Sequence, residues 1–226
     1  TQVQTQLPFL RKLASWRLSV RVHLPRGPLT PGGRLRVAPG RLDATLVIPP
    51  RPTVRSRPLV GTFFGVPVAG RRIALVIDTS GSMGSLVGGS KLSAAVREAR
   101  LLAASLPRDT QFDVWRFSDV YHAMAGRLIS ADDANVYLTQ VWLGQLRATG
   151  GTNIIAPLKE ALERQVDTVV LLSDGMPNNV TEPARILKLV KQHHQQRGVV
   201  VHVVGLGTDQ NSGFLRSLAK TTGGAY

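Results

Sequence analysis

The chain has 226 residues and a formal net charge of +14, and its 43% apolar content is enough to bury a substantial core, as a globular protein requires. Cysteine is absent, which excludes disulfides, thiolate metal sites and thiol catalysis together while leaving the compartment open. No apolar run approaches the roughly 20 residues needed to cross a bilayer, and the start at Thr1, without methionine or a leader pattern, is expected of a processed product or an excised fragment.

The charge is unevenly placed. Residues 1 to 72 hold 12 arginines and Lys12 against Asp43 alone, a net +12, whereas the rest carries 15 basic and 13 acidic groups. Two regions with different physics are expected, 1–71 and 72–226. In the first, "WRLSVRVHL" (16 to 24) alternates Trp16, Leu18, Val20, Val22 and Leu24 with polar residues, and "RLDATLVI" (41 to 48) does the same with Leu42, Ala44, Leu46 and Ile48. Both patterns predict half-buried antiparallel strands. The segments "LPRGPLTPGG" and "PPRPTVRSRP" read as turns or linkers, so residues 1–71 form a small basic β-rich appendage. "TFFGVPV" (62 to 68) is expected to pack that appendage onto a sheet edge.

From Arg72 the pattern changes. The runs "IALVI" (73 to 77), "QFDVWRF" (111 to 117), "TVVLL" (168 to 172) and "VVVHVV" (199 to 204) are rich in β-branched or aromatic residues. Three of them are apolar on both faces, as strands inside a parallel sheet must be. Between them lie helix-period segments. In 91 to 106, Leu92, Ala95, Val96, Ala99, Leu102, Ala103 and Leu106 share one face, and Pro107 stops the helix. In 131 to 146, Ser130 is the expected cap with Asp133 three residues on, and Tyr137, Leu138, Val141 and Trp142 are the expected buried stripe. Asn153 is expected to open a third helix reaching about Arg164, and Thr181 a fourth that Gly198 closes. This order predicts an α/β fold with a doubly wound, mostly parallel sheet and helices on both faces.

In such a sheet, ligands bind beyond the carboxyl ends of the strands, where the strand order reverses. Asp78 ends the first strand there, and the glycine-rich loop after it carries Ser80 and Ser82. "ATGGTN" puts Thr152 in a second glycine-flanked loop ahead of a helix, and "LLSDGMP" puts Asp174 at the end of another strand. Two carboxylates and three hydroxyls are hard oxygen donors suited to a small hard cation. Mg2+ fits best, with Mn2+ or Ca2+ as alternatives, and only two charged donors would leave the ion electrophilic.

"DTSGSM", "GGTN" and "LSDG", in that order, resemble the metal-ion-dependent adhesion site of a von Willebrand factor type A domain, the resemblance covering Arg72 to Tyr226. It implies that Ser80, Ser82 and Thr152 offer hydroxyls to the metal and that Asp78 and Asp174 bind it directly or through water. It also implies a protein-binding function, in which a partner supplies an Asp or Glu carboxylate. "FLRSLAKTTGGAY" resembles the family's penultimate helix and the start of the strand after it, so a closing helix is expected to be missing or removed.

Other readings fit less well. An EF-hand begun at Asp78 would need glycine at Met83 and an acid at Gly89. Counted from Gly84, a P-loop lysine arrives one residue late, at Lys91, and "GLGTDQ" lacks the third glycine of a dinucleotide fingerprint. No G-x-S-x-G elbow holds Ser80 or Ser82, and no histidine is tied to them by a motif, which argues against an enzyme and names no catalytic residue. A metal-dependent hydrolase is the alternative. His202, inside an apolar strand, reads as a satisfied core residue. The arginines of 1–71 decorate a solvated surface, attract an acidic partner or bind nucleic acid. The last is disfavoured because Phe9, Trp16, Phe63 and Phe64 are too scattered to form a stacking platform.

Overall fold

A computed structural model of the chain describes residues 57–84, 90–175, 177, 182–207 and 212–226, together with the strand backbone at 34–35 and 46–47. The chain divides into two compact units, Thr1–Thr53 and Val54–Tyr226. In the first, β1 (Arg34–Leu35) pairs antiparallel with β2 (Leu46–Val47). The second of these falls inside the strand expected at 41–48, while the strand expected at 16–24 lies outside the described residues.

In the Val54–Tyr226 unit, a hairpin of β3 (Leu59–Phe63) and β4 (Val66–Ala69) comes first. Its turn uses Phe64 and Gly65, both with positive φ (49° and 78°), the backbone that a two-residue hairpin loop requires. Phe64 N donates to Glu98 Oε2 at 3.3 Å, which ties the turn to the helix α1 (Lys91–Ser105). Val60, Phe63 and Val68 are buried in one cluster with Leu92, Leu102 and Leu106. A Cβ at Gly61 would lie 2.6 Å from Ser105 Oγ, so a larger residue there would have to displace the Ser105 and Leu102 side chains. The hairpin therefore packs its alternate apolar residues on the buried side of α1, and Val170 and Val204 of the main sheet lie in the same cluster.

The main sheet has the order β10–β9–β5–β6–β7. Its strands are β5 (Arg72–Asp78), β6 (Gln111–Phe117), β7 (Tyr121–Ala123), β8 (Ile129–Ser130), β9 (Thr168–Ser173) and β10 (Val200–Gly205). The pairs β10–β9, β9–β5 and β5–β6 are parallel, whereas β7 and β8 add antiparallel to β6. Strand alternation sends Ile73, Leu75 and Ile77 to one face and Ala74 and Val76 to the other. The first set packs under the hairpin, α1 and α2 (Asp133–Gly144). The second set packs under α3 (Ile155–Glu163), α4 (Glu182–Arg197) and α5 (Ser212–Thr221). Helices thus cover both faces of a mostly parallel sheet, as the α/β expectation requires. Among the described residues no helix is long and apolar enough to cross a membrane.

Two expectations for α2 need correction. Its cap is Asp132, whose Oδ1 accepts from Asn135 N at 2.9 Å. Ser130 instead donates its hydroxyl to Asp132 Oδ2 at 2.7 Å, because Ser130 is still held in β8 against β6. The expected buried stripe is largely outside: Tyr137 is 66% exposed, Leu138 57% and Val141 44%. The buried face is made by Thr139 and Leu143, with Val136 and Trp142 partly covered. Apolar residues surround this helix, and packing against α1 selected a face that periodicity could not. The third helix starts at Ile155 rather than at Asn153, with no side-chain cap on Ile154. Glu182, buried at the start of α4, accepts from Ile155 N at 3.2 Å and supplies the missing acceptor from outside the segment. Gly198, at φ 69°, closes α4 as expected, and Ala225 N donates to His202 Nδ1 at 3.1 Å.

Candidate functional site

The chain passes from β5 through α1 to β6 on one side and later returns to place β9 on the other. The reversal of strand order therefore falls between β5 and β9, whose carboxyl ends carry Asp78 and lead into Asp174. Both carboxylates are buried. Asp78 Oδ1 accepts from Ser80 N at 2.8 Å, and Oδ2 accepts the Ser173 hydroxyl at 2.6 Å. Ser173 Oγ also accepts from Gly175 N at 2.9 Å, so one hydroxyl links the two strand ends. Burial pushes the Asp78 carboxyl above its ordinary range, the hydrogen bonds from Ser173 and Ser80 oppose that, and the nearby Asp174 carboxylate adds to the rise.

After β5 the chain makes a 3-10 turn at Gly81–Gly84, anchored by the buried Met83. Its geometry puts the Ser80 and Ser82 hydroxyls 3.0 Å apart, with Ser80 buried and Ser82 exposed. Main-chain bonds then join the neighbouring loops. Gly81 N donates to Gly150 O at 2.9 Å, Thr149 N to Thr79 O at 2.8 Å, Thr79 N to Phe117 O at 2.7 Å, and Asn153 N to Ser118 O at 2.8 Å. The segment carrying Thr152 is thereby held beside the serine turn. Gly150, at φ 77°, sits where a Cβ would collide with the Asp119 carboxylate, so both its backbone and its space demand glycine. Thr152 is buried, and Asn153 Oδ1 beside it is buried with no hydrogen-bond partner among the described residues.

Two members of the site were not expected from the sequence. Lys91, at the start of α1, places Nζ 3.2 Å from Asp174 Oδ2; by spacing it reads only as a misplaced P-loop lysine. Ser173 was hidden as the last residue of an apolar strand, and the serine immediately before Asp174 is its one signal. No three histidine, aspartate or glutamate side chains among the described residues converge as a metal-holding group. The donor set here is different in kind: two carboxylates, one already oriented by two donors, next to paired hydroxyls. Such hard, mostly neutral oxygens fit a small divalent cation that keeps part of its water.

The comparisons agree with this architecture. The family model for the von Willebrand factor type A domain matches residues 71–226. The chain is similar to human von Willebrand factor A domain-containing protein 3A, 30% identical over 176 residues that cover 76% of this chain and 14% of that protein. It is also similar to human inter-alpha-trypsin inhibitor heavy chain H4, 30% identical over 176 residues, 71% of this chain and 18% of that one. The chain thus spans less than a fifth of the length of either relative. Among solved structures, a von Willebrand factor type A protein from Catenulispora acidiphila superposes with a TM-score of 0.60 at 23% identity, covering 70% of this chain and 38% of that one. Manganese-loaded TRAP protein from Plasmodium vivax does so with a TM-score of 0.53 at 23% identity, covering 66% and 62%. These two share the fold. With its three loop motifs seated where the strand order of the sheet reverses, and with the family model spanning residues 71–226 and every strand of the main sheet, this chain belongs to the von Willebrand factor type A domain family.

Proposed function

We propose that the Val54–Tyr226 unit is a divalent-metal-dependent protein-binding module and not an enzyme. Asp78, Ser80, Ser82, Thr152 and Asp174 would hold Mg2+, or Mn2+ or Ca2+ in its place, and an Asp or Glu of a partner protein would complete the coordination. The observation that carries this reading is the pair of buried carboxylates at adjacent strand ends, Asp78 and Asp174, beside the Ser80–Ser82 hydroxyl pair. The manganese carried by the structurally similar TRAP protein supports it.

A bound dication supplies a concentrated positive charge that favours a visiting carboxylate. This chain's residues set its strength. Ser80 N and the Ser173 hydroxyl both donate to Asp78 and fix its two oxygens in direction. With only two carboxylates in the set, the protein neutralises a dication no further than zero, which leaves it attractive to a third. The hydroxyls bring oxygen without charge, so they complete the donor set while preserving that attraction. Three of the four described histidines make their contacts elsewhere, His193 with Arg197, His194 with Val199 O and His202 with Ala225 N, and the fourth, His122, is exposed on β7. None is offered as a general base.

Titration calorimetry with Mg2+ and with Mn2+ tests the reading. Wild type should bind one ion per chain, and Asp78→Ala should not. Equal binding by wild type and Asp78→Ala, or none by wild type, refutes it.

A further inference from the structure

On the face of the unit carrying α1 and α2, the two helices run side by side and leave an open groove of about 850 Å3. Its floor is apolar, formed by Leu92, Val96, Leu143 and Leu146, and its wall carries Arg97, Arg100 and Arg147. These arginines are poorly compensated. Arg100 donates to Gln140 O through Nε and Nη2, and Arg147 to Gly144 O and Leu146 O. All those acceptors are main-chain carbonyls, and neither guanidinium forms an ion pair among the described residues. Arg97 stands 3.8 Å from Glu98, with 69% of its side chain exposed.

The apolar surface continues past the groove. Leu101 lines its α1 side and is 58% exposed. On α2, Tyr137, Gln140, Val141 and Gly144 fall at i, i+3, i+4 and i+7, one stripe along the helix. Gln140 and Gly144 line the groove, so the exposed Tyr137 and Val141 form its outer lip. A helical wall, an apolar floor and a row of cations are the features that seat an amphipathic helix. The 15-residue α1 gives the rim a length of about 22 Å, four helical turns.

We propose that this groove docks an acidic amphipathic helix of a partner protein, with apolar residues at i, i+3 or i+4, and i+7 on the floor and Glu or Asp side chains on Arg97, Arg100 and Arg147. The charge on the wall selects the sign of the partner, and the apolar floor distinguishes a helix from a polyanion such as nucleic acid. Asp78, Ser80, Ser82, Thr152 and Asp174 take no part, so this inference stands apart from the metal reading.

The test is fluorescence anisotropy of the full chain with a labelled synthetic helix of four turns, leucine on one face and glutamate beside it, at physiological ionic strength. Three further probes are the same composition in scrambled order, a version with lysine for glutamate, and a single-stranded oligonucleotide of equal charge. The leucine–glutamate helix should bind, the scrambled and lysine probes about tenfold more weakly or not at all, and chelator should change nothing. Arg100→Glu with Arg147→Glu, checked for folding by circular dichroism, should weaken the acidic helix by about tenfold and admit the lysine helix in its place. Val141→Asp should weaken binding with all arginines intact. Absence of binding by the acidic helix overturns the proposal, as does equal binding of the scrambled probe or the oligonucleotide, loss of binding with chelator, or wild-type behaviour of both variants.

Discussion

Lys91 Nζ lies 3.2 Å from Asp174 Oδ2, and both side chains are mostly withdrawn from solvent. An ammonium thus rests on one of the two carboxylates proposed to hold the metal. A cation entering the site competes with it for the same oxygen, at a dielectric well below that of water. Lys91→Met should therefore raise Mg2+ affinity, by about tenfold or 1.4 kcal/mol. Calorimetric titration of wild type and variant decides it; unchanged or weaker binding by the variant would show that the lysine does not oppose the metal.

The five proposed ligands should not count equally. Asp78→Ala and Asp174→Ala each remove half of the neutralising charge, whereas Ser82→Ala removes one neutral oxygen that water can replace. The expected order of loss is carboxylate first, exposed hydroxyl last, with at least about tenfold between them. Thermal shift with added Mn2+ reads this order directly. A larger loss with Ser82→Ala than with Asp78→Ala would move the site.

Gly150 offers a test that touches no ligand. Its φ of 77° and the Asp119 carboxylate against its Cβ position make Gly150→Ala strained in two ways. Alanine should shift the bond from Gly81 N to Gly150 O and displace the segment with Thr152. Metal affinity should fall about tenfold, with a stability loss of about 1–3 kcal/mol. If the metal-binding curve matches wild type, the segment does not contribute a ligand.

The hairpin makes a stability prediction. Phe63 is fully buried, edge-on to Phe64 at 5.2 Å between ring centroids. Phe63→Ala should cost about 3–5 kcal/mol in urea denaturation of the full chain. A loss below about 1 kcal/mol would mean that residues 59–69 are peripheral to the core.

Asp113 carries a pH dependence. It is buried on β6, with Oδ1 accepting from Val114 N at 2.7 Å and Ala125 N at 3.0 Å. Burial pushes its carboxyl above the ordinary value of 3.8 despite those hydrogen bonds. The folded chain then holds the proton more tightly than the unfolded one. Its contribution to stability is full below that ordinary value and falls as pH rises through the higher folded one. Asp113→Asn should lose this component of the decline, seen as a flatter difference curve in denaturation from acid to neutral pH. Asp132 works in the opposite sense. Asn135 N and the Ser130 hydroxyl lower its pKa, so its contribution is lost as pH falls.

Much of this was legible in the sequence. The strand expected at 111–117 is β6 residue for residue, because aromatic and β-branched side chains in a seven-residue run leave no room for a helical reading. Asp78 and Asp174 were findable because each closes an apolar run with a charge. The α2 stripe misled because Tyr137, Leu138 and Val141 are apolar yet face outward; a helix with apolar residues all round does not say which side it will bury. Glu182 capping α3 and Lys91 reaching Asp174 were invisible for a different reason. Each joins positions brought together only by the crossover topology, Ile155 with Glu182 and Lys91 with Asp174, and no local pattern reports such a meeting.

The loops around Asp78 are fastened to one another by amides and carbonyls, from Gly81 to Gly150, Thr149 to Thr79 and Thr79 to Phe117. Gly150 aside, stitches of that kind ask little of the side chains they join. Descendants of this chain could exchange the exposed groups on the rim, and with them the choice of visitor, while the frame beneath stayed in register.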